Sequence, residues 1–431
     1  MQKEAKQAGQ AAPSAPGLRS KAGRCGRGLR SVSLSLFLLP AGLVAQDLVP
    51  ASLPAESVLL GRIRAHMGEV LRHAPNYTCV ETMERTRRIG PAHQFQMQDI
   101  LRLEVALVDG KEMFAWPGSK KFESDDLRTL ISGGAYGNGT FALFARAVFL
   151  TSAPTFVYRG DDPINGRPLV RYDFRVQKLV SGYQIRVAEV SAIVGYHGSF
   201  WVDRQSLDAA RLQIFADDIP AELGLSFSSD RIDYSRQRIG EEDFLLPKES
   251  ELEMRQPSGT QNRNFVRFSS CRQYTGESVL RFDDLSDAPD ARQKAPDEEI
   301  VLPEDMVLRI ALMDDINLTS AAAGDPVNAT LEGDLRQKGR LLAAKGGVVT
   351  GRITRMERYQ NQTVVGIVFT DLYANGKHAA LSLRLERVLM GFLWTPPRTS
   401  IFLDQRPHEG LIQVQPGRAI LRRGILMYWR T

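Results

Sequence analysis

The sequence predicts a mainly β (α+β) chain: a large curved antiparallel half-barrel sheet covered by helices, followed by a second, small all-β barrel-like domain. Three observations predict it. Apolar residues recur at every second position through most of the 431 residues, which is the period of half-buried strands. Only two stretches offer helical material. A segment poor in large apolar side chains, FDDLSDAPDARQKAPDEEIVLPED (282–305), separates two strand-rich regions as a linker does. A composition of 43% hydrophobic and 24% charged residues excludes disordered, collagenous and coiled-coil chains. The resulting division is 1–45 as a leader, 46–282 as the half-barrel, 283–299 as an acidic Pro/Ala linker, and 300–431 as the second β domain.

The leader carries the charge excess. The chain has 55 basic and 50 acidic residues, a net charge of +5. Lys3, Lys6, Arg19, Lys21, Arg24, Arg27 and Arg30 stand against Glu4 alone, leaving 48 basic and 49 acidic residues from position 46 onward. A terminal excess is not a groove-sized basic surface, so nucleic acid is not an expected partner. Ser31 to Ala45 (SVSLSLFLLPAGLVA) is shorter than the roughly 20 apolar residues a bilayer crossing needs. With cations before it and a small residue at its end, it reads as a signal peptide with a long n-region; an uncleaved interfacial helix is the alternative. Cys25 precedes the apolar run, which argues against a lipoprotein anchor. A periplasmic or secreted protein with no transmembrane span after processing is expected.

Export sets the reading of the cysteines. Beyond the leader only Cys79 and Cys271 remain, and in an oxidising compartment one disulfide is the simplest account. Two buried free thiols are the alternative. The bond would close a long loop, for which chain entropy gives roughly 5 kcal/mol as an upper figure.

The first element past the leader is a helix of about 20 residues introduced by Pro54, with Leu59, Leu60, Ile63, Met67, Val70 and Leu71 on one face and an end before Pro75. From Asn76 the period becomes two. Leu101, Leu103, Val105 and Leu107 alternate with Arg102 and Glu104, and Asp109-Gly110 marks a hairpin. The stretch Asp125 to Phe149 is the second helical candidate, interrupted by Gly133, Gly134, Gly137 and Gly139. Alternation returns in PLVRYDFRVQ, where Val170, Tyr172, Phe174 and Val176 oppose Arg171, Asp173 and Arg175. It recurs in YQIRVAEV, SFWVDRQSL, ARLQIFADD, GLSFSSDRIDYSR, FLLPKESELEM and NRNFVRFSSC. Past the linker, MVLRIALM, DPVNATLEGDL, GVVTGRITRMER, TVVGIVFTDLY, HAALSLRLERV and GRAILRRGILMYWRT read as strands with glycine-bearing turns. Closing them into a small barrel removes exposed edges.

A helix followed by NYTCVETMERTRR, and then GYHGSFWVDRQSLDAARLQIFADD, resembles the LolA and RseB type of periplasmic half-barrel over residues 50–282. The resemblance implies a sheet curled around helices that shelters acyl chains or lipoprotein termini. LPEDMVLRIALMDDINLTSAAAGDPVNATLEGDL followed by GRLLAAKGGVVTGRITRMER resembles the TrbI-like C-terminal barrel of conjugation and type IV secretion scaffolds, over about 300–431.

Catalytic motifs find little support. Asp161-Asp162, Asp217-Asp218 and Asp314-Asp315 are sequence neighbours, which point to opposite faces of a strand instead of facing each other across a cleft. GGAYGNG (133–139) lacks the Gly-Lys-Ser/Thr of a phosphate loop. The six histidines form no metal-binding spacing, and His197-Gly198-Ser199 lacks a nucleophile elbow. Five Asn-x-Thr sequons (Asn76, Asn138, Asn317, Asn328, Asn361) would matter only in a glycosylating pathway. No metal, cofactor or enzymatic activity is expected. The aromatics are the most suggestive class. Phe114, Trp116, Phe141, Phe144, Phe149, Phe200 and Trp201 are the candidate lining of an apolar groove between sheet and helices, although an ordinary core would use the same residues. The reading is a non-enzymatic envelope protein that binds an apolar or lipidated ligand in the groove and docks to an envelope protein. The alternative is a structural or assembly module with a filled core and protein partners only.

Overall fold

The computed structural model describes residues 53–108, 111–119, 122, 127, 130, 140–187, 190–273, 299–359, 362–390, 393–395, 406, 408–415 and 417–431. The leader, the linker apart from Glu299, the Asp109-Gly110 turn and the glycine run 133–139 lie outside the described residues. From Leu53 onward the chain forms one compact unit.

Helix α1 (Ala55–His73) starts directly after Pro54, whose fixed φ and missing N–H suit the entry to a helix. Its apolar stripe is the one the spacing predicts: Ile63 and Met67 are fully buried, with Leu59, Leu60, Val70 and Leu71 packed beside them. Strands β1 (Tyr77–Ile89), β2 (Gln96–Val108) and β3 (Lys111–Ala115) follow as an antiparallel meander. The second helical candidate is realised among the described residues as α2 (Leu143–Leu150), whose buried side chains include Phe144, Val148 and Phe149. Then come β4 (Thr155–Asp161), β5 (Leu169–Val176), β6 (Gln184–Val187), β7 (Val190–Ile193), β8 (Gly195–Asp203), β9 (Ala209–Asp217), β10 (Phe227–Ile239), β11 (Glu242–Arg255) and β12 (Thr260–Gln273).

Ten of these strands make one curled half-barrel sheet in the order β3-β2-β1-β12-β11-β10-β9-β8-β5-β4, with every pairing antiparallel. Strands β6 and β7 leave it as a separate hairpin. The pairing of β1 with β12 joins the first three strands to the rest, and Cys79 and Cys271 are disulfide-bonded across it with Cα atoms 4.1 Å apart. Register shifts occur there and in the β10–β11, β8–β9 and β4–β5 pairs; such bulges increase local twist and bend a sheet.

One row across the helix-covered face shows how the sheet is divided. On β4, β5, β8 and β9 the row reads Phe156, Phe174, Gly198 and Ile214. It continues through Asp230 and Leu252 to Asn264, Arg85 and Asp99 on β12, β1 and β2. Gly198 is required here, because a Cβ would strike the Gln213 carbonyl and the Phe174 ring. This row is therefore apolar at its β4 end and polar at its β2 end, while the rows beside it on β1 and β2 carry apolar side chains such as Met83, Leu103 and Val105. Helices α1 and α2 cover the apolar end, packing with Tyr172, Phe200, Leu212 and Ile232.

The second sheet has nine strands. Lys377–Ala380, Gln362–Ala374, Val348–Tyr359, Pro326–Leu331, Val307–Leu312, Leu426–Arg430, Arg384–Met390 and Leu393–Thr395 pair in that order, and Gly410–Val414 lies along Gln362–Ala374. They enclose one apolar core in which Phe369 and Trp429 meet edge to face at 5.2 Å.

The two sheets are joined by backbone. The Arg102 N–H donates to the Ala323 carbonyl at 2.7 Å and the Ala323 N–H to the Ile100 carbonyl at 2.8 Å, a parallel bridge beside the stretch of β2 that β3 covers. The next residue, Gly324, has φ +106°, and a side chain there would collide with the Arg102 carbonyl and crowd the Trp116 ring. Arg102 also pairs with Asp325.

Candidate functional site

The structure separates the seven candidate aromatics. Phe114, Trp116 and Phe141 belong to a cluster under β1–β3 that also holds Tyr77, Leu103 and Phe268. Phe144, Phe149 and Phe200 belong to the cluster under α1 and α2. All six are buried and touch other rings or apolar side chains: Phe149 meets Phe200 at 5.0 Å and Phe141 meets Phe268 at 5.3 Å. Trp201 stands on the opposite face from its neighbour Phe200. Its indole N–H donates to Asp162 at 2.9 Å, and the Arg171 guanidinium lies over its ring at 5.3 Å. Strand geometry requires this, since consecutive side chains alternate faces, so Trp201 is not part of a groove beneath the helices.

The interior face of β1–β3 also holds polar residues that the sequence does not single out. On β1 the face that carries Cys79 continues with Glu81, Met83 and Arg85, because every second residue of a strand points to the same face. Arg85 donates to both oxygens of Asp99, at 2.7 and 2.5 Å, a forked pair that neutralises two buried charges. Glu81 has no such partner. It is 4% exposed, and among the described residues it makes no hydrogen bond or ion pair. Burial, and secondarily the charge of Glu112, pushes its carboxyl up to about 8.

Glu112 on β3 shares the interior face with Leu107 and Tyr77. Its Oε1 accepts the backbone N–H groups of Ala142 at 2.8 Å and Leu143 at 3.3 Å, so it holds the N-terminal end of α2. Burial raises the Tyr77 and Tyr234 phenols well above their ordinary range, and Glu112 adds to both shifts. The Tyr234 Oη is buried without a hydrogen-bond partner. Arg146 on α2 lowers the Tyr77 phenol slightly, and its Nη1 donates to the Leu71 carbonyl at 3.0 Å. Farther along the face Asp230, 2% exposed, accepts a bond from the Tyr183 Oη at 3.2 Å through Oδ2, while its Oδ1 has no partner. Burial pushes this carboxyl to about 7, with the Tyr183 bond acting against the shift.

Other candidates resolve into structural pairs. His197 Nδ1 contacts Asp217 at 2.6 Å and the Ser199 hydroxyl donates to Asp173 at 2.7 Å, so the two are committed elsewhere. His66 Nε2 contacts Asp208, which also receives Arg236. Burial alone would raise the Asp208 carboxyl, but the hydrogen bonds from Arg236 and His66 more than offset it and hold it low. Asp161 pairs with Arg204 and Asp315 with Arg422. Among the described residues no group of three or more His, Cys, Asp or Glu is placed to hold a metal ion, and no helix is long and apolar enough to cross a membrane.

No known family profile matches the chain, and no curated protein does. Among solved structures, the chain is similar to a LolA-superfamily protein from Nitrosomonas europaea, at 10% identity over 50% of this chain and 94% of that one, with a TM-score of 0.27. It is similar to a DUF1329-family protein from Desulfovibrio piger, at 13% identity over 52% of this chain and 94% of that one, with a TM-score of 0.30. A putative outer membrane lipoprotein-sorting protein domain from Vibrio parahaemolyticus gives 13%, 52%, 95% and 0.29.

Proposed function

We propose that this chain is a non-enzymatic protein of the cell envelope whose half-barrel interior holds an apolar or lipidated ligand, and whose second sheet docks on an envelope component. The observation that carries the reading is the pair of buried, partnerless polar atoms on the inner face, the Tyr234 hydroxyl and Asp230 Oδ1. Leaving such groups unsatisfied costs about 1–3 kcal/mol each, a cost that a plain core would avoid with apolar side chains. The Cys79–Cys271 disulfide suits an oxidising compartment, in keeping with residues 1–45 as a signal peptide and a periplasmic or secreted location. The units 46–282 and 300–431, with 283–299 between them, are the domains of this reading.

A filled structural module is the second reading, favoured by the close ring contacts of Phe141 with Phe268 and of Phe149 with Phe200. Native mass spectrometry of protein purified from its own envelope separates the two. A retained lipid mass supports the carrier; a retained protein partner with no small adduct supports the module.

A further inference from the structure

Among the described residues β6 and β7 pair only with each other and stay outside the ten-stranded sheet; the turn between them, 188–189, lies outside the described residues. Cross-strand partners share a face, so the hairpin has two unlike sides. Ile185, Val187 and Ala192 pack with Leu252 and Met254 of β11 and with Leu223 and Leu225 from the turn after β9. Gln184, Arg186 and Ser191, on the other side, are exposed. The hairpin is thus a strap laid on the inner face, seated on a cluster much smaller than the one beneath the helices. At its root the Val194 N–H donates to the Tyr183 carbonyl at 2.9 Å. The Tyr183 ring meets Phe144 of α2 at 5.3 Å and Tyr196 of β8 at 5.8 Å, both edge to face, and its Oη donates to Asp230 Oδ2 on β10 at 3.2 Å. Asp230 is 2% exposed and its Oδ1 has no partner.

The surroundings of Asp230 suit a neutral carboxyl. Its partners across the strands are Ile214 on β9 and Leu252 on β11, and Ser228 and Ile232 flank it on its own strand; of these neighbours and Tyr183, only Tyr183 titrates. Burial, and secondarily the charge of Asp230, holds that phenol well above its ordinary range, so it stays a donor. The other charges on the elements packed here are turned away or occupied: Arg186 and Glu222 are exposed, Arg146 of α2 meets the Leu71 carbonyl, and Arg85 and Asp99 pair three and four strands off. An ionised Asp230 would keep one hydrogen bond and one bare oxygen in a dry site, which is costly. We propose that the β6–β7 strap is a pH-sensitive gate: it is seated while Asp230 carries a proton, and it lifts from β10 and β11 when Asp230 gives that proton to water. The lifting goes beyond the carrier reading and rests on it only for its use, the entry of a ligand to the inner face. The seated strap holds a proton that the lifted one releases, so closure is strongest below the ordinary value of 3.8 and is lost as pH rises through about 7.

Hydrogen exchange of the whole chain at pH 5 and pH 7.5, corrected for the intrinsic rate, reads the strap amides at 184–187 and 190–194 against those of β8. Protection of the strap relative to β8 is expected to fall by about tenfold or more between the two. Asp230→Asn, neutral at both pH values, should hold the ratio constant. Tyr183→Phe keeps the ring and loses the bond, and should lower strap protection severalfold at pH 5. Thermal melts of both variants report that they fold. A ratio that does not change with pH in the unaltered chain, or that changes as much in Asp230→Asn, would overturn the gate. The uptake rate of a neutral fluorescent alkyl probe at the same two pH values reads what the lifting serves. Faster uptake at pH 7.5, lost in Asp230→Asn, supports entry beneath the strap, and equal rates would overturn that role. No probe binding at either pH would overturn the carrier reading and leave the pH-driven lifting standing.

Discussion

Glu112 Oε1 accepts the Ala142 N–H at 2.8 Å, thirty residues along the chain. The bond ties the edge strand of the half-barrel to the helix that covers it, and it places an acid on the interior face where Glu81 feels its charge. One residue therefore positions the cover and sets the electrostatics of the space beneath it.

Removing that acceptor loosens the cover. Glu112→Ala loses bonds to the first N–H groups of α2 and is expected to cost about 1–2 kcal/mol. Glu112→Gln, which retains an acceptor, should cost less. Chemical denaturation of the two variants checks the order, and hydrogen exchange at residues 142–146 locates the effect.

Glu81 makes stability depend on pH in a direction opposite to that of a paired carboxylate. Its folded value of about 8 lies above the reference of 4.5, so the native state holds a proton that the unfolded chain releases. The contribution is fully present below about pH 4.5 and is lost as pH rises through about 8. Glu81→Gln is expected to match the unaltered chain at pH 5 and to be more stable at pH 9, by on the order of 2–4 kcal/mol given 1.36 kcal/mol per unit. Equal pH slopes for the two proteins would show that Glu81 is satisfied in a way the structure lacks.

The disulfide closes a separation of 192 residues across the β1–β12 pair. Reduction, or a Cys79→Ala and Cys271→Ala double variant, is expected to lower stability by about 2–5 kcal/mol. Denaturation with and without reductant measures it. The loss should appear first as exchange of β1 and β12 amides, where the strands are stapled.

At the joint between the sheets, Gly324 sits at φ +106° against the Arg102 carbonyl. Gly324→Val combines an unfavourable backbone conformation with a collision, and a cost of at least about 2 kcal/mol is expected. Calorimetry should then resolve separate transitions for the two sheets where the unaltered chain shows greater coupling.

Much of this architecture was legible in the residues. In PLVRYDFRVQ the alternation places Val170, Tyr172, Phe174 and Val176 inward, and all four are buried. The α1 stripe and the cysteine pair were equally plain. The inner acid was not, because β1 carries polar residues on both faces: Glu81 and Arg85 inward, Thr82 and Glu84 outward. Alternation alone gives no parity there. The parity was available from Cys79, since a disulfide cysteine on the inner face puts Glu81 beside it. Chemistry groups Phe200 with Trp201, but their adjacency on a strand assigns them to opposite faces. The bridge at Ala323 had no strand signature, because a run of alanines ending in glycine shows no period.

The central claim is that the half-barrel interior admits a ligand, and a titration of delipidated protein with a neutral fluorescent alkyl probe tests it most directly. The account predicts a saturable rise to one probe per chain, reversed by an unlabelled alkyl competitor. A signal that stays flat, or climbs without saturating, would contradict it and leave a filled scaffold.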